Sequence, residues 1–379
     1  MEHQRVIRKH NSDYLRSGPA SYASAHRRWG FTSSLTGLDI EPSEAKPRII
    51  AGQRTNTNVA SDADFQNDTH YTCPVILGTP AQLLHLDFDV IRSDSQVITA
   101  TSSGEGSPIP SPVDLAAFVP SNSTTFAPGI SGSRDPLHGA DLLQINGVTL
   151  SNFGFKLIPP NDRESQYHGM GYLGLAPRSP VASKAGVFTA KFGNWRVPND
   201  PEQKVSFFTF GFIHTPTLAS AETPIRYAPL CGDRWMFPST TALINDTQLE
   251  RPPENAAIVD TVGPLALVDD QLLRALYNSI PGSYYDSEAR GYLFPADIPT
   301  SNLPVVRLGV GCHHIAVHKH ALGFCNHRSK PGYLYGGFQS RGDLEFDILG
   351  DTFLQGLYAV FDSTNQQFGA AELLDRTLA

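Results

Sequence analysis

The chain has 379 residues with 32 glycines, 29 prolines and 17% charged residues, a composition typical of a turn-rich β protein rather than a helical bundle. Its 29 Lys and Arg against 37 Asp and Glu give a formal charge of −8 without a basic stripe, so nucleic acid is not an expected partner. The length favours two domains, and no apolar run approaches the ~20 residues that a membrane span needs, so no membrane partner is expected.

Residues 1–60 form a polar and basic N-terminal arm. It begins with "MEHQRVIRKHNSDYLRSG", which lacks the apolar stretch of a secretory signal, and it contains one helical pattern, "GPASYASAHRRWG". We therefore expect a cytoplasmic protein, or a secreted one if a leader has been removed. An N-terminal β lobe is predicted over 61–200 and a C-terminal β lobe over 201–379, joined by the polar stretch "FGNWRVPNDPEQK".

Short apolar runs separated by turn residues begin at Thr72. Examples are "CPVILGTPAQ", "GYLGLAP" and, in the second half, "VSFFTFGFI". Alternation over 4 to 8 residues, with Gly, Pro and Asn between the runs, predicts strands and hairpins. The pair Asn146-Gly147 predicts a type I′ hairpin turn, because both central positions of that turn need positive φ.

The two halves of the chain repeat one pattern. "LLHLDFDVIRSD" is echoed by "NAAIVDTVGPLALVDD", each an apolar strand that closes on an aspartate, Asp89 or Asp260. "GYLGLA" is echoed by "FDILGDTFL", where two apolar residues precede Gly174 or Gly350. Two similar lobes, each offering one aspartate, predict a cleft between them with both carboxylates at its floor.

These motifs resemble those of the pepsin-like aspartic proteases, particularly the fungal members, over about residues 70–375. "VILGTPAQLLHLDFDV" is similar to the approach to the family's first D-T-G motif, "AAIVDTVGPLALVDDQLLRALYNSIPG" to the second, and "FDILGDTFLQGLYAVFDSTNQQFGAAE" to the closing segment. "SGPASYASAHRRWG" resembles the pro-segment helix of fungal members. The resemblance implies a mainly β, bilobal fold with a deep interlobe cleft. It places Asp89 and Asp260 at the catalytic positions, where two facing carboxylates share one proton and activate a water.

The first motif departs from the family at three positions. Where the family has D-T-G-S, this chain has Asp89, Val90, Ile91 and Arg92. Val90 cannot donate the hydroxyl hydrogen bond by which the family's threonines lock the two loops together, and Ile91 brings β-branched bulk to a turn that presents an amide to the carboxylates. Arg92 replaces a hydroxyl. Pointing inward it would favour a charged Asp89, and pointing outward it would be solvated, and the sequence leaves both open.

The second motif and the cleft walls depart as well. Thr261 is retained, whereas Val262 replaces a glycine and Gly263 replaces a hydroxyl residue. Gln96 stands where the family has a tryptophan after the first motif. It is expected to contact the substrate together with His138 and the residues that follow the two aspartates: Val90, Ile91, Arg92, Thr261, Val262 and Gly263. The family's flap, a hairpin that carries a tyrosine over the carboxylates, corresponds to "FAPGISGSRDPLHGAD", which is shortened and has no tyrosine; His138 or Arg134 from this stretch could reach the cleft instead.

Cysteine usage favours a reducing compartment. The resemblance implies a disulfide in the second lobe, but its two positions are Ala296 and Leu334 here. Four thiols spread over the chain do not form a disulfide scaffold and are expected to be reduced and mostly buried: Cys73, Cys231, Cys312 and Cys325.

A histidine-rich stretch, "CHHIAVHKHALGFCNH", is a candidate metal site. On one strand, Cys312, His314, His318 and His320 would share a face, but the spacing matches no standard zinc pattern, and an exposed polar strand face is favoured. No metal and no cofactor are expected, and the protein is expected to be a monomer.

Three functions are compatible with these residues. The favoured one is a repurposed enzyme that uses its aspartates for acid/base chemistry on a small-molecule substrate in the interlobe cleft. Cyclisation, isomerisation or dehydration in secondary-metabolite biosynthesis would fit, because such chemistry needs a placed proton but not the missing Thr and Gly. The alternatives are a divergent aspartic endopeptidase and a catalytically silent pseudoprotease that binds peptide or protein. The basic arm is expected to cover the acidic pair through one or more of its cations, Arg5, Arg8, Lys9, Arg27 and Arg28.

Overall fold

The computed structural model describes residues 5–10, 16–32, 71–100, 117–129, 137–159, 171–193 and 205–373. The α-helices in these ranges are short: α1 (Gly18–Trp29), α2 (Pro180–Ala185), α3 (Thr215–Ala219), α4 (Asp270–Asn278) and α5 (Asp351–Leu354). None of these described helices is long and apolar enough to cross a membrane.

Strands dominate the described residues, which confirms the mainly β prediction. In the first half they are β1 (Val6–His10), β2 (Tyr71–Leu77), β3 (Gln82–Asp89), β4 (Gln96–Ile98), β5 (Ala127–Pro128), β6 (His138–Ile145), β7 (Val148–Ile158), β8 (Gly171–Gly174) and β9 (Val187–Lys191). In the second half they are β10 (Ser206–Phe210), β11 (Arg226–Pro229), β12 (Met236–Pro238), β13 (Thr241–Ile244), β14 (Thr247–Glu250), β15 (Ala256–Val259), β16 (Ala266–Val268), β17 (Tyr284–Asp286), β18 (Gly291–Pro295), β19 (Val306–Val310), β20 (His313–Val317), β21 (Gly323–Asn326), β22 (Tyr333–Gly336), β23 (Phe338–Ser340), β24 (Phe346–Leu349), β25 (Leu357–Asp362) and β26 (Gln367–Glu372).

One large sheet runs through both halves of the chain. Its 13 strands lie in the order β11-β26-β25-β9-β10-β1-β2-β3-β8-β4-β7-β6-β5. The second half adds three smaller sheets, with the orders β12-β15-β24-β16-β23, β14-β13-β19-β20 and β17-β18-β22-β21. The arm strand β1 is an interior strand of the large sheet, antiparallel to β10 on one edge and to β2 on the other.

The internal repeat predicted from the sequence is present in the strand pairing. In the first half, β3 pairs parallel with β8, β8 antiparallel with β4, and β4 parallel with β7. In the second half, β15 pairs parallel with β24, β24 antiparallel with β16, and β16 parallel with β23. Gly174 and Gly350 occupy matching places, because a Cβ on either would collide with loop carbonyls: that of Arg92 at 2.7 Å for Gly174, and that of Leu265 at 2.5 Å for Gly350.

Local sequence signals explain the turns and the arm helix. Asn146 and Gly147 have φ of 31° and 90° between the paired strands β6 and β7, as the hairpin prediction requires. Helix α1 begins after Ser17, whose hydroxyl accepts from the Ala20 amide, and ends at Gly30, which adopts φ 67° and donates to the His26 carbonyl. The helical pattern in the arm is therefore confirmed.

A buried ion-pair network joins four side chains in the second half of the chain. The Asp347 carboxylate accepts from Arg251 at 2.5 and 2.9 Å and from Arg341 at 2.8 Å. Arg251 also donates to Asp269, the N-cap of α4. These four side chains are almost fully buried, so each charge depends on its partners for stability.

Several sequence-based boundaries remain predictions. The lobes over 61–200 and 201–379 are not separately delimited by the structure, and residues 33–60 and 194–204 lie outside the described residues.

All four cysteines are free, and two of them, Cys231 and Cys312, are exposed, so the expectation of mostly buried thiols holds for only half of them.

Candidate active site

Two equivalent strand ends deliver the aspartates. Asp89 is the last residue of β3, and its carbonyl accepts from the Leu175 amide at 2.8 Å. Asp260 follows β15, and its amide donates to the Leu349 carbonyl at 3.0 Å. Both residues are 0% exposed, and a single guanidinium, described below, lies within hydrogen-bonding distance of both carboxylates. The structure therefore brings the two predicted site residues together.

Backbone amides hold both carboxylates despite the substituted glycines. The Ile91 amide donates to Asp89 Oδ1 at 2.9 Å. Those of Val262 and Gly263 donate to Asp260 Oδ1 at 3.0 Å each. The β-branched side chains of Ile91 and Val262 leave these amides in place, because donation is a property of the backbone and both turns keep it.

Of the two threonines that join the aspartate loops in the family, this chain keeps only Thr261 and its hydrogen bonds. The Thr261 hydroxyl donates to the Phe88 carbonyl at 2.5 Å and accepts from the Val90 amide at 3.3 Å. Val90 is 0% exposed and has no hydroxyl with which to return the contact. The first loop is thus held by one threonine from the second loop, with apolar packing of Val90 in place of the other hydrogen bond.

Arg28 from the arm bridges the two aspartates. Its Nη2 donates to Asp89 Oδ1 at 2.8 Å and to Asp89 Oδ2 at 2.9 Å, and it reaches Asp260 Oδ1 at 3.4 Å. Its Nε lies 3.2 Å from Asp260 Oδ2. Burial works to lower the pKa of the Arg28 guanidinium, but the charges of Asp260 and Asp89 outweigh it and raise that pKa. The expectation that a basic arm residue covers the pair is met by Arg28.

Apolar and polar contacts hold α1 in place. Tyr22 and Phe31 are 3% and 1% exposed and pack with Ile258 and Ile348 in one cluster. Just after the helix, the Thr32 amide donates to the Asp343 carboxylate at 2.7 Å. Trp29 packs edge-on against Phe346 with ring centroids 5.8 Å apart. Arg28 is therefore presented by a docked helix rather than by a loose tail.

Arg92 points toward the pair, which settles the orientation that the sequence left open. Its Nε lies 3.8 Å from Asp89 Oδ2, and its Nη1 donates to the Tyr172 hydroxyl at 3.0 Å. The guanidinium carbon stands 4.6 Å from the centre of the Tyr172 ring. That hydroxyl donates in turn to Asp94 at 2.8 Å. Sequence reasoning missed Tyr172 and Asp94, since no local pattern relates β8 to the loop after β3.

The remaining predicted site residues have the following places. Gln96 opens β4, opposite Tyr172 on β8, and His138 opens β6, opposite Lys156 on β7. Their roles in substrate binding remain predictions. The tip of the flap-like hairpin, with Arg134, lies outside the described residues.

The prediction that Cys312, His314, His318 and His320 lie on one strand is wrong, because the strand is shorter. β20 covers only His313–Val317, with Cys312 in the preceding turn and His320 in a following 3-10 turn. His314 instead makes a 2.8 Å hydrogen bond with the Thr241 hydroxyl. Among the residues that the structure describes, no group of three or more His, Cys, Asp or Glu side chains is placed to hold a metal ion.

A pair of buried carboxylates with hydrogen-bonded backbone turns can hold one proton between them once a counter-cation leaves. Such a pair offers a base and an acid in one place. With Arg28 bound, the two carboxylates share one guanidinium, whose single positive charge offsets one negative charge of the pair. The geometry is therefore that of a buried carboxylate pair bound by an arginine from the arm.

Residues 70–373 match the eukaryotic aspartyl protease family, and the chain belongs to that family. Several of its curated relatives are fungal. A putative aspergillopepsin A-like aspartic endopeptidase of Aspergillus fumigatus is 26% identical, covering 93% of this chain and 89% of the relative. Aspergillopepsin-1 of Aspergillus flavus is 26% identical over 94% and 86% of the two chains, and endothiapepsin of Cryphonectria parasitica 25% over 93% and 86%. The fold is that of the pepsin-like aspartic proteases.

Proposed function

We propose that the protein is an aspartic endopeptidase held in a latent form by its own arm. The observation that carries this is the clamp of Arg28 on Asp89 and Asp260, two fully buried carboxylates whose backbone hydrogen bonds are intact. A silent binding protein has no need for a buried pair of like charges, because burying them is unfavourable unless something neutralises them. The similarity to fungal endopeptidases supports the same function.

The chemistry follows from the pair once the arm has left. One carboxylate stays ionised and takes a proton from a water held between the two. The water oxygen forms a bond to the carbon of a peptide carbonyl, and the proton on the other carboxyl passes to the carbonyl oxygen, giving a neutral diol. The carboxyl that took the water proton then gives it to the amide nitrogen, a diol hydroxyl passes its proton to the other carboxylate, and the carbon–nitrogen bond breaks to leave a carboxylic acid and an amine. Thr261 keeps the two loops in register through its contact with Phe88.

A cleavage assay tests the proposal. The full chain is incubated with a denatured protein over a range of acidic pH, with and without the transition-state inhibitor pepstatin, beside the variant Asp260→Asn. We expect inhibitor-sensitive cleavage that begins only under conditions that release the arm, and none from the variant. Absence of cleavage from a chain whose arm is shown to be displaced would overturn the proposal.

The second candidate is the small-molecule acid/base enzyme favoured by the sequence alone. One observation favours it: the loss of the reciprocal hydroxyl at Val90 loosens a site that must hold a peptide bond accurately, and a small substrate tolerates this better. If peptide cleavage is absent, Asp89→Asn and Asp260→Asn should each abolish product in the pathway encoded by neighbouring genes. Unchanged product would leave the silent pseudoprotease.

A further inference from the structure

The positive charges around the two carboxylates are unevenly distributed. Asp89 Oδ2 has two cations near it: Arg28 Nη2 at 2.9 Å and Arg92 Nε at 3.8 Å. Asp260 has Arg28 alone within salt-bridge distance among the described residues, with Nε at 3.2 Å from Oδ2. When Arg28 leaves with the arm, Asp89 keeps a cation beside it and Asp260 does not.

The hydrogen bonds show which oxygen of Asp260 would carry a proton. Asp260 Oδ1 accepts two backbone amides, whereas Asp260 Oδ2 is buried and accepts no hydrogen bond from the described residues, although Arg28 Nε lies 3.2 Å away. A buried carboxyl oxygen without a donor is the place where a proton costs least, since protonation removes the unmet demand for a donor. On the other carboxylate, Asp89 Oδ1 accepts from the Ile91 amide and Asp89 Oδ2 from Arg28, so once Arg28 leaves the two Oδ2 atoms differ in the cation Arg92, which lies beside Asp89.

Arg92 is fixed in position independently of the arm. Its guanidinium lies over the ring of Tyr172 at 4.6 Å and donates to the hydroxyl of that ring, which Asp94 anchors at 2.8 Å. Burial, then the hydrogen bond to Asp94, raises the pKa of the Tyr172 hydroxyl, so it remains a neutral donor. The Arg92 side chain is 40% exposed, but stacking and hydrogen bonding of a planar guanidinium restrict where it can go. None of these contacts involves α1.

We infer that Arg92 is a positioning residue that assigns the roles within the carboxylate pair: Asp89 remains the ionised base, and Asp260 Oδ2 carries the proton. The groups that face the pair are Arg28 from α1, Arg92 from the loop after β3, and Tyr172 from β8. A fixed cation 3.8 Å from one carboxylate stabilises its charged form relative to that of its neighbour. The catalytic part of the inference rests on the proposed endopeptidase function.

The cation that assigns these roles should also narrow the pH range of activity on the alkaline side. The same cation also stabilises the state in which both carboxylates are ionised, so the pair loses its single proton at a lower pH than it would without Arg92. The alkaline limb of the pH–activity profile should therefore lie at a lower pH than it would without Arg92. The effect of one partly exposed cation at this distance is about one pH unit, which is about a tenfold change in rate at a fixed pH on that limb.

The pH dependence of kcat/KM in Arg92→Ser, Arg92→Lys and Tyr172→Phe tests the role. Arg92→Ser should move the alkaline limb up by about one pH unit, Arg92→Lys should retain most of the original profile, and Tyr172→Phe should give an intermediate shift because Arg92 loses an anchor. Arg178→Ser is the matched control, since Arg178 pairs with Asp233 on the surface with both side chains exposed. A profile for Arg92→Ser that coincides with that of Arg178→Ser overturns the inference.

A measurement without substrate separates this inference from the proposed function. In the Arg28→Ala chain with aspartate labelled at its carboxyl carbon, the pH at which the pair loses its shared proton is followed by nuclear magnetic resonance, with Asp260→Asn to assign the signal. We expect this midpoint to rise by about one pH unit when Arg92→Ser is added. An unchanged midpoint refutes the role of Arg92 whether or not the protein cleaves peptides. A shifted midpoint without cleavage upholds it and refutes the endopeptidase.

Discussion

Replacing Arg28 with alanine should release the arm helix from the carboxylate pair. Removing one member of a buried ion pair typically costs about 3–5 kcal/mol. The side chain of Arg28 is 18% exposed, and the two carboxylates can take up a proton in its place, so the lower end applies. A cost of about 3 kcal/mol shifts the docking equilibrium of α1 by about two orders of magnitude. Alanine is the best helix former, so α1 itself is not weakened.

Hydrogen exchange of the amides in α1 and the cleavage rate at one acidic pH measure this release. In Arg28→Ala the amides between Ser21 and Gly30 should exchange about 100-fold faster, and the full chain should gain activity without prior acid treatment. Arg27→Ala is the matched control, because Arg27 neighbours Arg28 but is exposed, and it should change the exchange by less than about twofold. Equal exchange rates in the two variants would show that the clamp contributes nothing to docking.

Three further outcomes are expected. Burial lowers the pKa of His26 below its ordinary value of 6.5, so the released arm binds more protons than the docked one; docking should weaken as the pH falls below about 6.5, and less so in His26→Asn, as followed by exchange of the arm amides. Thr261→Val leaves the Phe88 carbonyl without its donor and should reduce the free energy of unfolding by about 1–3 kcal/mol in denaturant titrations, whereas Thr261→Ser should retain most of it. Asp347→Asn should cost about 3–5 kcal/mol in the same titration because two buried guanidiniums lose the negative charge that Asp347 supplies, against less than about 1 kcal/mol for Asp233→Asn at the surface; similar losses in the two would contradict the buried network.

The parts of the fold that the sequence predicted are those where local pattern and internal repetition agree. Alternating apolar residues and the doubled strand-Asp pattern predicted β3 and β15, whereas the parallel pairing of each with β8 or β24 is seen only in the structure. The hairpin at Asn146 and the arm helix were specified by turn and capping residues within a few positions. Signals of this kind depend on neighbours in the chain, so no tertiary information was needed.

The site could be predicted only in part, because its details depend on distant contacts. Several cations in the arm were candidates to cover the pair, and the docking of Tyr22 and Phe31 in the second half decides that Arg28 does so. The orientation of Arg92 depends on Tyr172, 80 residues away in the chain. The backbone donors at the substituted glycine positions could not be predicted either, because side-chain bulk at Ile91 says little about where its amide points.

The position of the arm strand β1 determines what a cut in the arm would release. β1 hydrogen-bonds along both of its edges, to Phe208 and its neighbours on one side and to Thr72 on the other. A cut between Thr32 and Tyr71 would therefore yield a nicked, two-chain particle, in which the short fragment stays annealed in the middle of the large sheet. It would migrate as two bands on a denaturing gel and as one peak in native mass spectrometry. Release of α1 from the carboxylates and dissociation of the fragment that contains β1 are thus separate events.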